Sequence, residues 1–140
     1  MLSKQIVLIT LSVALVAVAA WSAVQQDRNL PELSKLKLEY AVTPAEQELG
    51  LSYRESLDED AGILFVYQED VVPQFWMKEM HFPLDIVWLD ENFKIIGIEK
   101  NIAPETYPRT FSPVKPIRYV LELNAGKSAK LGWEIGDKAL

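Results

Sequence analysis

Between Gln5 and Val24 the chain carries no charged side chain; IVLITLSVALVAVAAWSAV follows Gln5, and Lys4 is the one charge ahead of it. A helix of about 20 mainly apolar residues spans a bilayer, and this run has no polar face with which to lie on a globular domain. It therefore removes the N-terminus from any water-soluble core. Two readings fit it. A short basic flank, an apolar run and the small residues Ala17-Val18-Ala19 are the parts of a cleavable signal peptide. The length of the run, and Trp21 as an interface residue, suit a retained membrane anchor. In both, Lys4 stays on the cytoplasmic side and the rest of the chain is extracytoplasmic, either held at the membrane or released after cleavage. The domain plan is thus 1–24 as signal peptide or anchor, 25–35 (QQDRNLPELSK) as a polar tether, and 36–140 as one folded domain.

Composition narrows what that domain can do. There is no cysteine, which excludes disulfides, thiolate metal sites, cysteine nucleophiles and a lipid-modified N-terminal cysteine. The net charge is −6, and an acidic domain is repelled by phosphate backbones, so no nucleic-acid partner is expected. Glu55, Asp58, Glu59, Asp60, Glu69 and Asp70 cluster in one stretch, whereas Arg109, Lys115 and Arg118 lie in another. Both stretches read as solvated loops. A monomer is expected.

Local patterns describe a β-rich chain. Residues Leu36 to Val42 alternate with period two, as a half-buried strand does. Thr43-Pro44-Ala45-Glu46 has the parts of a helix start: a capping hydroxyl, proline at the first position and glutamate three residues on. Gly50 stops that helix, or a further turn carries it to Tyr53. Gly62–Tyr67, Gln74–Glu79, Leu84–Asp90, Phe93–Lys100 and Ile117–Asn124 are further strands, rich in branched and aromatic residues. Short gaps join the middle three, which predicts an antiparallel meander. Pro104, Pro108, Pro113 and Pro116 predict an irregular, stiff loop over 101–116. Lys127–Leu131 reads as one helical turn ended by Gly132. The expected fold is mainly β with one short N-terminal helix (α+β): a small antiparallel sandwich or partly closed barrel.

From Leu38 onward a series of short motifs matches the pattern of a known family. The matching pieces are Thr43-Pro44-Ala45-Glu46 with Gly50-Leu51 and Arg54, then Gly62-Ile63-Leu64-Phe65 and Phe75-Trp76-Met77-Lys78. Pro83-Leu84-Asp85-Ile86 follows, then Asn101, Pro104, Tyr107 and Ser112, then Tyr119-Val120-Leu121-Glu122-Leu123 with Ala125-Gly126; Lys130, Gly132 and Gly136-Asp137 close the match. In this order the motifs resemble the domain-of-unknown-function 192 family, and the resemblance implies a compact β-rich fold, often exported in bacteria and archaea, with no agreed activity. The chain departs from the family pattern at Glu79-Met80, where Asn-Thr is usual, and at Ser52-Tyr53, where a methionine is usual before the arginine.

Few residues suggest chemistry. His81 is the only histidine, and one histidine without cysteines cannot build a zinc site. Asp58-Glu59-Asp60 lacks the ligand spacing of a calcium loop. Gly126-Lys127-Ser128 lacks the upstream glycine of a phosphate-binding loop, and no serine lies in a nucleophile elbow. No metal or cofactor is expected. Lys78 and Asp85 are the exception. If residues 80–83 form a direct turn, Lys78 lies opposite Asp85 and Trp76 opposite Val87 on one face. The pair is then a cross-strand ion pair shielded by tryptophan, or a polar spot that orients a ligand. Tyr107, Arg109 and Ser112 on the proline-rich loop supply the other wall. The expected role is a non-catalytic ligand-binding or interaction domain for a small molecule or envelope component. The alternative is an enzyme on a cell-envelope or carbohydrate substrate with Lys78 and Asp85 as acid-base pair; the lack of a clear nucleophile weighs against it.

Overall fold

The capping box written into Thr43–Glu46 forms in full. In the computed structural model, which describes residues 36–140, Thr43 Oγ1 accepts from the Glu46 amide at 3.3 Å and Glu46 Oε2 accepts from the Thr43 amide at 2.8 Å. Helix α1 (Pro44–Leu49) starts there and stands between β1 (Lys37–Ala41) and β2 (Ala61–Val71). A helix between two strands makes a parallel pairing reachable, and β1 pairs parallel with β2, Glu39 beside Ile63 and Ala41 beside Phe65. α1 stops at Gly50, whose φ of 49° favours glycine.

The remaining elements are β3 (Phe75–Trp76), β4 (Leu84–Leu89), β5 (Ile95–Ile102), a 3₁₀ turn (Pro104–Thr106), β6 (Thr110–Phe111), β7 (Ile117–Asn124) and α2 (Lys127–Lys130). The five-stranded sheet runs β1-β2-β7-β4-β5, and β3 pairs with β6 in a separate two-stranded ribbon. The fold is mainly β and sandwich-like, and the sheets do not close into a barrel.

Both faces of the sheet centre are covered. All six β4 residues are buried, which is why its sequence reads as a continuous run with no alternation. On one face Ile63, Phe65, Ile86, Trp88 and Val120 join Phe75, Met77, Met80 and Phe111 in the main core. Phe75 meets Phe65 and Trp88 edge-on, at centroid distances of 4.8 and 5.4 Å. On the other face lie Leu64, Val87, Leu121 and Leu123, all buried, with α2 packed against β4 and β7. The C-terminal segment closes over β5: Ile95 donates to the Asp137 carbonyl at 2.8 Å and accepts from the Gly136 amide at 2.8 Å.

Two expectations fail for one physical reason. The Gln74–Glu79 strand shrinks to two residues, and it does not form a meander with β4. Both edges of β4 are already taken, by β5 and β7. The link from β3 is instead fastened into the core by Met77 and Met80, and β3 pairs with β6, Trp76 beside Thr110. Consequently Lys78 and Asp85 are not cross-strand partners, and Trp76 does not lie opposite Val87. The 101–116 loop also holds more order than its prolines suggest. Pro104 starts the 3₁₀ turn, where its missing N–H costs nothing, and β6 uses residues between Pro108 and Pro113. The N-terminal segment 1–24, and the tether up to residue 35, lie outside the described residues. Among the described residues no helix is long and apolar enough to cross a membrane.

Candidate functional site

The two members of the expected polar pair occupy different environments. Asp85 is fully buried. Its Oδ1 accepts from the amides of Asn101 and Gly126 at 2.8 and 3.1 Å, and its Oδ2 from the Ser128 amide and hydroxyl at 3.0 and 2.6 Å. The carboxylate thus ties β4 to the end of β5 and to the turn entering α2, and has no free lone-pair direction for a ligand. Lys78 is exposed on the link after β3. Tyr107, Arg109 and Ser112 are exposed too, and the Arg109 guanidinium sits 4.7 Å from the Phe111 ring centroid. Trp76 is the candidate that does face a cavity: it lines two adjoining hollows beside α1, and Lys78 shares the second with it.

The other singled-out groups are committed to the fold surface. His81 Nδ1 lies 3.1 Å from Glu55 Oε1. In the acidic loop, Asp60 pairs with Lys127 Nζ at 3.2 Å and Glu59 with Lys130 Nζ at 3.0 Å.

The first hollow, about 210 Å³, opens between the end of α1 and the main core face of the sheet. Phe65, Tyr67, Phe75 and Trp76 form aromatic walls, and Met80 and Gly50 line it too. Gly50 gives clearance: a Cβ there would stand 3.3 Å from the Phe65 ring and 3.8 Å from Glu122 Oε2. Glu122 lies at the floor. It is only 5% exposed, and its lateral neighbours in the sheet are Ile63 on β2 and Ile86 on β4. A carboxyl between two isoleucines loses hydration without compensation. Burial pushes its pKa up from 4.5 to about 8, opposed by the positive charge of Arg54.

Arg54 does not complete the site. Its two terminal nitrogens donate to the two carboxylate oxygens of Glu39 at 2.7 Å each. This fork holds Glu39 below the usual carboxylate range and raises Arg54, chiefly through the hydrogen bonds themselves. Among the described residues no donor bonds to the Glu122 carboxyl. Beside it, burial first and then the Glu122 charge push the Tyr67 phenol up to about 12. Chemically the hollow offers a protonated acid, able to donate or accept, under aromatic walls.

Sequence reasoning missed Glu122 because it stands in a strand whose neighbours are all apolar. The available signal was that same setting: in Tyr119-Val120-Leu121-Glu122-Leu123, alternation puts Glu122 on the same face as Val120, a core position.

Comparison with known proteins agrees with this fold and assigns no chemistry. A crystal structure from Sinorhizobium meliloti 1021, of a protein described provisionally as a transcription regulator, is 37% identical with a TM-score of 0.71; the match covers 74% of this chain and 79% of that one. A protein of unknown function from Novosphingobium aromaticivorans DSM 12444 is 33% identical with a TM-score of 0.70, over 74% of this chain and 73% of that one. No curated protein matches. The profile of the DUF192 family, described as "Uncharacterized ACR", matches residues 24–139. The chain belongs to the DUF192 family.

Proposed function

We propose that the domain is a non-catalytic binding module for a small molecule, with the α1 hollow as its site and Glu122 as the group that recognises the ligand. The observation that carries this reading is the Glu122 carboxyl: buried, without a hydrogen-bond donor among the described residues, and at the floor of an aromatic cavity. Among the described residues the fully buried polar atoms without a partner are the Trp88 and Trp133 indole nitrogens; the Glu122 carboxyl instead keeps a little access through the hollow and has no protein donor, so it is suited to a ligand that supplies the partner. A catalytic reading draws support from the raised pKa of Glu122, since acids poised near neutral pH serve proton transfer. The neighbours disfavour it. Ser52 donates its hydroxyl to the Lys78 carbonyl at 3.0 Å, and Tyr67 stays protonated at neutral pH. Neither is an activated nucleophile.

The test is a fragment screen on the full chain, read through the Trp76 indole N–H resonance. Binders that shift Trp76, and lose the effect in Gln74→Trp, which narrows the mouth from an exposed lining position, support the reading. Hits confined to other surfaces, or none, overturn it. The compartment belongs to the same proposal: the uncharged run 5–24 supports an extracytoplasmic, membrane-held or exported monomer. Fractionation of the native host should recover the protein with membranes or in the exported fraction. A cytoplasmic pool of full-length chain would overturn that part.

A further inference from the structure

The residues around Glu122 also indicate the charge of what it meets. Among the described residues lining the hollow, Glu48 and Glu122 are acidic and none is lysine, arginine or histidine. The groups facing Glu122 that carry or could carry charge are few. Arg54 is held by its two-pronged bond to Glu39, and its charge acts on Glu122 only as the smaller effect beside burial; Tyr67 on β2 stays protonated, and Glu48 on α1 adds negative charge at the mouth. β2 and β4 otherwise present Ile63, Phe65 and Ile86. The faces of Phe65, Phe75 and Trp76 carry the negative side of an aromatic quadrupole, which attracts cations. The second hollow, about 280 Å³, shares Glu48, Leu49, Ser52 and Trp76 with the first and adds Lys78 and Glu79, one charge of each sign; the apolar body of a ligand can run across Trp76 toward it while the charged end stays at Glu122, away from Lys78.

Building on the binding role proposed above, we infer that the hollow takes a small organic cation, a primary or secondary ammonium with an apolar body, and that Glu122 releases its proton to solvent when the cation pairs with it. The balance is simple. A carboxylic acid and an ammonium become a carboxylate–ammonium pair plus one proton taken by buffer, and no other bond changes. A buried charge is stable only when paired, so ionisation of Glu122 and arrival of the cation are linked events. An anion meets repulsion from Glu48 and can gain no more than a hydrogen bond from protonated Glu122. A neutral ligand leaves Glu122 protonated and moves no proton.

Three probes sharing one ring separate these outcomes on the full chain: 2-phenylethylamine, 2-phenylethanol and 3-phenylpropionate. Calorimetry in buffers of low and high ionisation enthalpy counts protons, and the Trp76 indole resonance locates binding. The amine should bind about tenfold or more tighter than the alcohol, as a charge-assisted bond implies, with the carboxylate weakest. Near pH 6 about one proton should leave per amine bound, falling toward none above about pH 9. Glu122→Gln should weaken the amine by about tenfold and leave the alcohol nearly unchanged. If the alcohol matches the amine, or the amine binds with no proton released, while Trp76 still shifts, the cation inference falls and the binding site stands. If no probe shifts Trp76 at concentrations on the order of millimolar, where fragments of this size bind a formed pocket, both readings fall. Should Glu122→Gln fail to fold, the proton count on the natural chain still decides.

Discussion

Glu122 and Asp85 are both buried acids, and they differ in what surrounds them. Asp85 accepts four hydrogen bonds, from Asn101, Gly126 and twice from Ser128, whereas Glu122 lies between isoleucines. The difference should show in stability against pH. A carboxyl whose folded pKa is raised binds a proton more tightly folded than unfolded. Its contribution is fully present below the unfolded value of 4.5 and is lost as pH rises through about 8. Unfolding free energy should therefore fall between those limits, by at most about 1.4 kcal/mol per pH unit. Glu122→Gln should flatten the curve and be the more stable protein at about pH 8. Denaturant titrations across that range check it, and a flat curve for the natural chain would refute it. For Asp85 the expectation is mechanical. Ser128→Ala removes the 2.6 Å hydroxyl bond and should cost about 1.5–3 kcal/mol, the worth of a bond to a charged group. Lys78→Met, at an exposed position, should change stability by less than about 0.5 kcal/mol and add independently to any Asp85 change. Coupling between the two would restore the ion pair that the strand pairing denies. The sequence singled out Asp85 but paired it with Lys78; the actual partners were not readable, because Asn101 and Ser128 reach it only through the sheet order.

At the scale of elements, local signals were legible and non-local ones were not. The capping box at Thr43 was readable because every atom it needs lies within four residues. Thr43→Ala should cost roughly 1 kcal/mol of stability, measurable by thermal melting. The Ile117–Asn124 strand was readable for the same reason, and its bounds in the structure are those read from branched residues. The choice of β3 to pair with β6 was not readable. It depends on competition for the edges of β4, which β5 and β7 win. A second non-local constraint is Gly97 on β5, where a Cβ would stand 2.9 Å from Trp88 Cδ1 on β4. Gly97→Ala must displace the ring of a buried tryptophan, and overpacking of this kind costs about 1–3 kcal/mol. An unchanged melting temperature would mean that Trp88 has another rotamer within reach.

At the scale of the whole molecule, the boundary between the uncharged N-terminal run and the β domain decides how the chain can be handled. The sequence puts that boundary near Leu36 because strand alternation begins there, and β1, where the described sheet starts, runs from Lys37. Among the described residues the first backbone tie is Lys37 donating to the Asp60 carbonyl at 2.7 Å. β1 is an edge strand, and it presents Lys37 and Glu39 to solvent. Charges on an edge discourage strand addition by a neighbouring molecule, so β1 at the edge of a truncated chain should not drive aggregation. A chain running from Ser34 to Leu140 should therefore be soluble and monodisperse, and should melt in one cooperative transition. Every β1 hydrogen bond to β2 would be kept, and so would the Arg54–Glu39 fork that braces β1 against the loop after α1. Starting the chain at Thr43 instead removes β1, leaves Arg54 without its partner and uncovers the edge of β2. That shorter chain should lose about 3 kcal/mol or more, on the scale of breaking a hydrogen-bonded ion pair and exposing a buried strand edge. Light scattering and denaturant melts of the two chains check both halves. If the chain from Ser34 melts without cooperativity, residues before it contribute to the fold and the boundary lies further upstream. If the chain from Thr43 is as stable as the longer one, β1 is an ornament on a four-stranded sheet and not a part of the cooperative unit.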